Sequence, residues 1–202
     1  MTFNIGEFKA TLNRYGGVLR SNKFVVRMTP PPFIRDAGVS RDLEYFAEQA
    51  TLPGVNLSSH DVRRYGYGPI EKRPIGHTFT DLSVTFIADG RGEMHRFFYN
   101  WLNFISPYNF DTSNSLYLMD YKIRYVTSLD IVTLNEAGVS SINSPGRVSD
   151  ERGAFRSTAV TVREAFPISL SDVQLNWSEM NNHARFTVQF AYVDWSYTRP
   201  AT

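Results

Sequence analysis

The 202 residues are 42% hydrophobic and 14% aromatic, with 15 Phe, 11 Tyr and 3 Trp, which excludes disorder of the chain as a whole because each aromatic side chain buries a large area. Lys and Arg total 21 against 20 Asp and Glu, for a net charge of +1; this balance argues against a strong nucleic-acid binder and leaves little charge to hold copies apart. There is no Cys, so a disulfide scaffold, a thiolate zinc site and a cysteine nucleophile are excluded.

No apolar run approaches the ~18 residues of a membrane helix. Met1 to Asn13 carries Glu7 and no apolar stretch, so no secretory signal is expected and the cytoplasm is the expected place of synthesis. Within Phe3–Leu12, Ile5, Phe8 and Leu12 share a helical face, and Gly16-Gly17 ends that helix. Asn22–Met28 reads as a strand stopped by Pro30-Pro31-Pro32, which cannot donate ladder hydrogen bonds. Val39, Leu43, Phe46, Ala47 and Ala50 predict a short helix over Val39–Ala50, although Leu43, Tyr45 and Ala47 also fit strand alternation. Leu52-Pro53-Gly54 turns the chain into a strand over Val55–Arg64, followed by the turn-rich Tyr65–Pro69.

Thr78–Ile87 is the clearest strand. Thr80, Leu82, Val84 and Phe86 share one face, and Asp81, Ser83 and Thr85 the other. Asp89-Gly90-Arg91-Gly92 breaks it, and the clearest helix follows over Glu93–Ile105. Its Met94, Phe97, Phe98, Trp101, Leu102 and Ile105 form one apolar stripe that a sheet or partner must cover. Tyr117–Leu134 is β-rich through Ile123, Tyr125 and Leu129–Leu134. Asn135–Ser157 is a polar loop longer than compact domains usually leave irregular. Thr158–Phe166 reads as strand. Two last strands, Ser169–Trp177 and Ala184–Trp195, are joined through the hairpin-turn composition of Glu179–Asn182. The expected fold is mainly β: a single barrel or sandwich domain over 1–202, with one flanking helix and insertions near 30–40 and 135–157.

Chemistry-bearing patterns are weak. His60, His77, His95 and His183 have no metal-ligand spacing. Asp42, Glu44 and Glu48 read as a solvated face rather than an acid/base pair. Asp89–Gly92 lacks a phosphate-loop pattern and reads as a tight turn before a helix. Ser58-Ser59-His60-Asp61 carries triad residue types side by side, whereas triads assemble from separated positions. Asn56-Leu57-Ser58 and Asn176-Trp177-Ser178 match the glycosylation pattern without a secretory context. The densest basic and aromatic cluster, Arg63, Arg64, Tyr65, Tyr67, Lys72 and Arg73, fits a protein–protein loop better than a phosphate-binding one, because the rest of the chain is balanced. No catalytic site, metal or cofactor is expected.

Several segments, in this order, resemble the tail tube proteins of contractile-tailed phages: Tyr15-Gly16-Gly17 to Ser21-Asn22-Lys23-Phe24; Gln49-Ala50-Thr51-Leu52-Pro53-Gly54; the paired-strand stretch from Tyr65-Gly66 to Pro74-Ile75; Phe79–Ile87; Phe97-Phe98-Tyr99-Asn100-Trp101; Ala165–Trp177; and Phe186–Trp195. The resemblance implies a β-barrel-like subunit with a helix on its side. Such subunits form hexameric rings that stack into a hollow tube inside a contractile sheath, a design shared by type VI secretion tube proteins and bacteriocin-like injection systems. It implies as partners other copies of the chain, a sheath protein, baseplate and tail-terminator proteins, and genomic DNA that passes without specific binding. The implied location is a virion tail assembled in the host cytoplasm. A baseplate tube initiator or the tube of a phage-tail-like injection system is the alternative. On this reading Phe97, Phe98, Trp101, Leu102 and Ile105 form a buried anchor. Asp81, Ser83 and Thr85 are candidates for a lumen face that ignores or repels phosphate. The two long segments, with Arg147, Asp150, Glu151, Arg152 and Arg156, are candidates for ring stacking.

Overall fold

In the computed structural model the described residues are 4–14, 18–34, 37–63, 66–107, 119–135, 155–178 and 182–198. Among the described residues the helices are α1 (Ile5–Arg14), α2 (Ala37–Phe46), α3 (Glu93–Ile105) and α4 (Lys122–Tyr125). The strands are β1 (Phe24–Met28), β2 (Ala47–Ala50), β3 (Val55–Val62), β4 (Glu71–Phe79), β5 (Leu82–Ile87), β6 (Thr127–Asn135), β7 (Phe155–Leu170), β8 (Arg185–Ala191) and β9 (Asp194–Thr198).

The strands pair in the order β1-β6-β7-β8-β5-β2, with β9 added to β7 and β3-β4 forming a separate two-stranded sheet. Long β7 links the two halves. Its first part pairs with β6 and, at Ala159–Arg163, with β9; its last part, Phe166–Leu170, pairs with β8. Between them Glu164 adopts φ 52, a left-handed conformation uncommon outside glycine, and the register slips between Pro167 and Ser169. A bulged corner of this kind lets one strand serve two sheets. Among the described pairings the barrel is not closed, so the expected β class holds as a sandwich with open edges.

The inner faces carry the core. On β5, Leu82, Val84 and Phe86 are buried while Ser83, Thr85 and Ile87 are half-buried, the period of two that one covered face requires. On β8, Phe186, Val188 and Phe190 are buried opposite them. Helix α3 closes over this face. Phe98 meets Phe86 at 5.1 Å and Phe190 at 6.0 Å, and Trp101 meets Phe190 at 6.3 Å. Buried Trp101 donates its indole N–H to the Tyr125 carbonyl at 3.0 Å, so the polar end of the ring is satisfied.

Several sequence expectations are corrected. Val39–Ala50 is a helix only to Phe46 and then a strand, because Ala47–Ala50 pairs with β5. Ala37–Ser40 belongs to α2 rather than to a loop: buried Ser40 donates to the Met28 carbonyl and ties the helix to β1. Thr78–Ile87 is two strands, since β4 ends at Phe79 and β5 begins at Leu82. Ile123 and Tyr125 lie in the helical turn α4, where Tyr125 packs on Phe166. Of Ser169–Trp177 only Ser169 and Leu170 are strand, the end of β7; after the Ser171 N–H donates to the Thr187 carbonyl no ladder continues among the described residues. Ala184–Trp195 divides into β8 and β9, which add to different stretches of β7. Gly16-Gly17 lies outside the described residues, as does most of the Glu179–Asn182 turn.

Candidate assembly surfaces

The anchor residues sit as the helical stripe dictates. Phe97, Phe98 and Trp101 are buried and Leu102 and Ile105 half-buried. The helix starts after Gly92, whose φ of 71 favours glycine. Asp89 accepts from the helix N–H groups of Glu93 at 3.0 Å and Met94 at 3.0 Å, and from the N–H of Arg91 in the preceding turn at 3.2 Å. Partial burial pushes the Asp89 carboxyl up, but the backbone donors Met94, Glu93 and Arg91 together outweigh it and hold the carboxyl below its ordinary value. Asp89–Gly92 is thus a turn and helix start.

Each flank of α3 borders a groove. On one side Glu93, Arg96, Phe97, Asn100 and Phe104 face Phe33, Ile34 and Met119 across a space of about 1140 Å³. Phe33 and Phe104 stack there at 4.0 Å, under the Arg124 guanidinium. On the other side His95, Tyr99, Leu102 and Ser106 face Ile168–Val173 across about 720 Å³. Past Val173 the side chains are exposed, Leu175 at 84% and Trp177 at 103%.

The face of β5 and β8 turned away from α3 is polar and neutral. Ser83 lies opposite Gln189, and Thr85 opposite Thr187 with their hydroxyls 3.0 Å apart. Charge stands at its rim, where Glu48 pairs with Arg185 at 2.6 Å and His183 lies 3.8 Å from Glu48. Ser83 and Thr85 therefore share this face. Asp81 does not belong to the strand and sits exposed at its entry. Near that entry Tyr192 donates to the Thr80 carbonyl at 2.7 Å; burial, then the Asp81 charge, raise its phenol above the usual value.

The β3–β4 hairpin stands apart. Its register runs from Val55↔Phe79 to Val62↔Glu71, with a bulge at Ser58/Ser59, yet only Val62 and Phe79 are even half-buried. Leu57 and Ile75 are each 71% exposed. Phe79, 5.9 Å from Tyr192, secures its base. A two-stranded ribbon with both faces in water is marginal on its own. Arg63, Tyr67, Lys72 and Arg73 lie toward its far end, while Arg64 and Tyr65 are outside the described residues. Alternation along Val55–Val62 signalled this strand in the sequence, but not that both of its faces would lack cover.

Of the stacking candidates, Arg147, Asp150, Glu151 and Arg152 lie outside the described residues. Arg156 belongs to β7, opposite Leu134, so it is not in the loop. The acidic cluster is divided among ion pairs: Glu44 with Arg27 at 3.2 Å and Glu48 with Arg185. Ser58-Ser59-His60-Asp61 is strung along β3. Among the described residues no group of His, Asp and Glu is placed to hold a metal ion, and no helix is long and apolar enough to cross a membrane.

A family profile described as "Phage tail tube protein" matches residues 19–198. No curated protein matches the chain. Solved structures share the fold at low identity. A chain of the six-fold symmetrised anti-feeding prophage baseplate is 14% identical at TM-score 0.56, covering 90% of this chain and 95% of that one. A chain of the sheath/tube terminator of the extracellular contractile injection system PVC is 15% identical at 0.55, covering 90% and 97%. One from the PVC sheath–tube complex in the extended state is 12% identical at 0.54, covering 98% and 99%.

Proposed function

The chain belongs to the phage tail tube protein family, and from that premise we propose that it is a non-enzymatic tube subunit. Its copies form hexameric rings that stack into a hollow conduit inside a contractile sheath. The observation that carries this reading is the β3–β4 hairpin, a two-stranded ribbon exposing Leu57 and Ile75. Such a ribbon gains stability by docking on a neighbour, and strand edges left open at β1 and β2 offer pairing sites between copies. Stacking rings bring the hairpins and the segment between β6 and β7, residues 136–154, to the axial contact. That segment's Arg147, Asp150, Glu151 and Arg152 set register there through charge.

The conduit wall is the neutral face of Ser83, Thr85, Thr187 and Gln189, past which DNA slides without phosphate contacts to grip it. The whole chain acts as one tube-like unit. Sheath, baseplate and terminator proteins are its partners, in a virion tail assembled in the host cytoplasm. The likeness to a baseplate chain favours one second reading, an initiator that forms a single ring at the tube's base. A phage-tail-like injection particle is the setting in which the same subunit would carry no genome.

Electron microscopy of the purified full chain tests these readings. Tubes that grow with concentration support the repeating subunit, single rings support the initiator, and a monomer at every concentration refutes both. Deleting Gly138 to Gly153 is expected to leave rings that do not stack. Normal tubes from the shortened chain would remove that loop from the axial contact.

A further inference from the structure

The two flanks of α3 differ in kind. One borders the apolar groove of Phe33, Ile34, Phe97, Phe104 and Met119. The other leads into the exposed segment carrying Leu175 and Trp177. Within one helix, residues spaced at 100° per position separate these flanks to either side of the buried stripe. The segment that carries Leu175 and Trp177 thus starts from the flank of α3 opposite the apolar groove.

We propose that Trp177, with Leu175 beside it, inserts into the Phe33–Phe104 groove of the next copy within the ring; this rests on the tube reading above. A head-to-tail contact between two different patches is what a closed ring requires, whereas a two-fold contact would use one patch twice. The occupant suits the groove. Leu175 and Trp177 are both exposed, and the Ser178 N–H and hydroxyl donate to Asn176 Oδ1 at 3.1 and 2.7 Å, which holds the turn that presents Trp177. Trp is the residue most enriched among interface anchors. Phe33 and Phe104 stack on each other at 4.0 Å with the Arg124 guanidinium over Phe104, so the incoming indole packs on the outer side of Phe33, against the edge of this stack. Asp172, near the base of the segment, and Arg96, on the groove rim, carry opposite charges. The net charge of +1 does little to oppose close approach of copies.

The Cys-free sequence makes the test direct. In the full chain, Asn176→Cys with Asn100→Cys, treated with a short thiol-to-thiol cross-linker, is expected to give a ladder of covalent multimers ending at ring size. Either variant alone is expected to give none. Trp177→Ala is expected to melt as the wild type does at concentrations too low for assembly, because the indole is exposed in the monomer, and to lose rings in sizing and microscopy. Assembly should also shift tryptophan emission to the blue in wild type, since Trp101 is already buried. Normal rings from Trp177→Ala, or self-cross-linking of Asn176→Cys, overturns this contact and leaves the tube reading standing. A wild type that forms no ring at any concentration overturns both.

Discussion

Helix α3 and the β3–β4 hairpin are both regular elements with apolar side chains at regular spacing, and the chain treats them oppositely. Four α3 side chains are buried, including Trp101 at 0% exposure, whereas Leu57 and Ile75 of the hairpin remain 71% exposed. The difference lies in what each element faces. The α3 stripe meets Phe86, Phe186 and Phe190, which belong to the same chain. The hairpin meets the rest of the described subunit near its base, where Phe79 lies 5.9 Å from Tyr192, and Thr51, just before it, donates its N–H to the Ser83 carbonyl at 3.0 Å. Periodicity fixes an element's type, but only its neighbours decide whether its apolar face is covered within the subunit or left for assembly.

The largest effect that can break this contrast comes from the buried side. Trp101→Ala removes the ring between Phe98 and Phe190 and leaves the Tyr125 carbonyl without its donor. The expected loss is about 3–5 kcal/mol, read as a lower melting temperature and denaturant midpoint. A melt that overlays wild type would mean that α3 is not the anchor its burial indicates.

The hairpin predicts the reverse split. Leu57→Asp with Ile75→Asp should change monomer stability by less than about 0.5 kcal/mol, as exposed substitutions do, while abolishing stacking in electron micrographs. Tubes of normal length from this variant would place the hairpin outside the axial contact. A collapsed melting curve would mean that the hairpin supports the subunit core and would erase its contrast with α3.

How far the sequence could be read follows the same division. Glu93–Ile105 was legible to the residue, because a 3.6-residue stripe bounded by Gly92 and Ser106 is a local signal. Val55–Val62 was legible through its alternation, whereas Glu71–Phe79 entered only through the paired-strand stretch of the family resemblance, because Pro74 and Gly76 interrupt a strand composition. Lys122–Tyr125 alternates like a strand and was misread; what makes it a turn is non-local, the packing of Tyr125 on Phe166 and its carbonyl on Trp101. Ser169–Trp177 was misread for a related reason. Val173, Leu175 and Trp177 alternate as a strand would, but β7 and β8 stop pairing once Ser171 has bonded Thr187, so the ladder ends. The polar face of Ser83 and Thr85 was visible, but its partners Gln189 and Thr187 were not, since the register of β5 on β8 links positions about a hundred residues apart. Asp81 was placed with them only because the turn after Phe79 leaves the alternating pattern intact.

The smallest effect sharpens the buried side of the comparison by titrating its boundary. Asp89 meets three backbone N–H groups at the start of α3. Removing it as Asp89→Ala is expected to cost about 0.5–2 kcal/mol, the range for losing a helix cap. The contribution has a definite pH dependence. The folded state holds the Asp89 carboxyl below its ordinary value of 3.8, so folding favours the ionised form. The stabilisation is complete above the unfolded pKa and is lost as pH falls through the folded one. The difference in melting temperature between wild type and Asp89→Ala should therefore be constant from neutral pH down to about pH 5 and shrink below pH 4. Asp89→Asn keeps an acceptor without the charge, so it should lie between the two proteins at neutral pH and show less of the acid slope. Ring formation should be unchanged in both variants at neutral pH, because Asp89 serves the intrachain anchor and not the hairpin. A wild-type advantage that persists undiminished at pH 3 would mean that the cap acts through a protonated side chain, and the ionised bridge from Asp89 to Met94, Glu93 and Arg91 would be wrong.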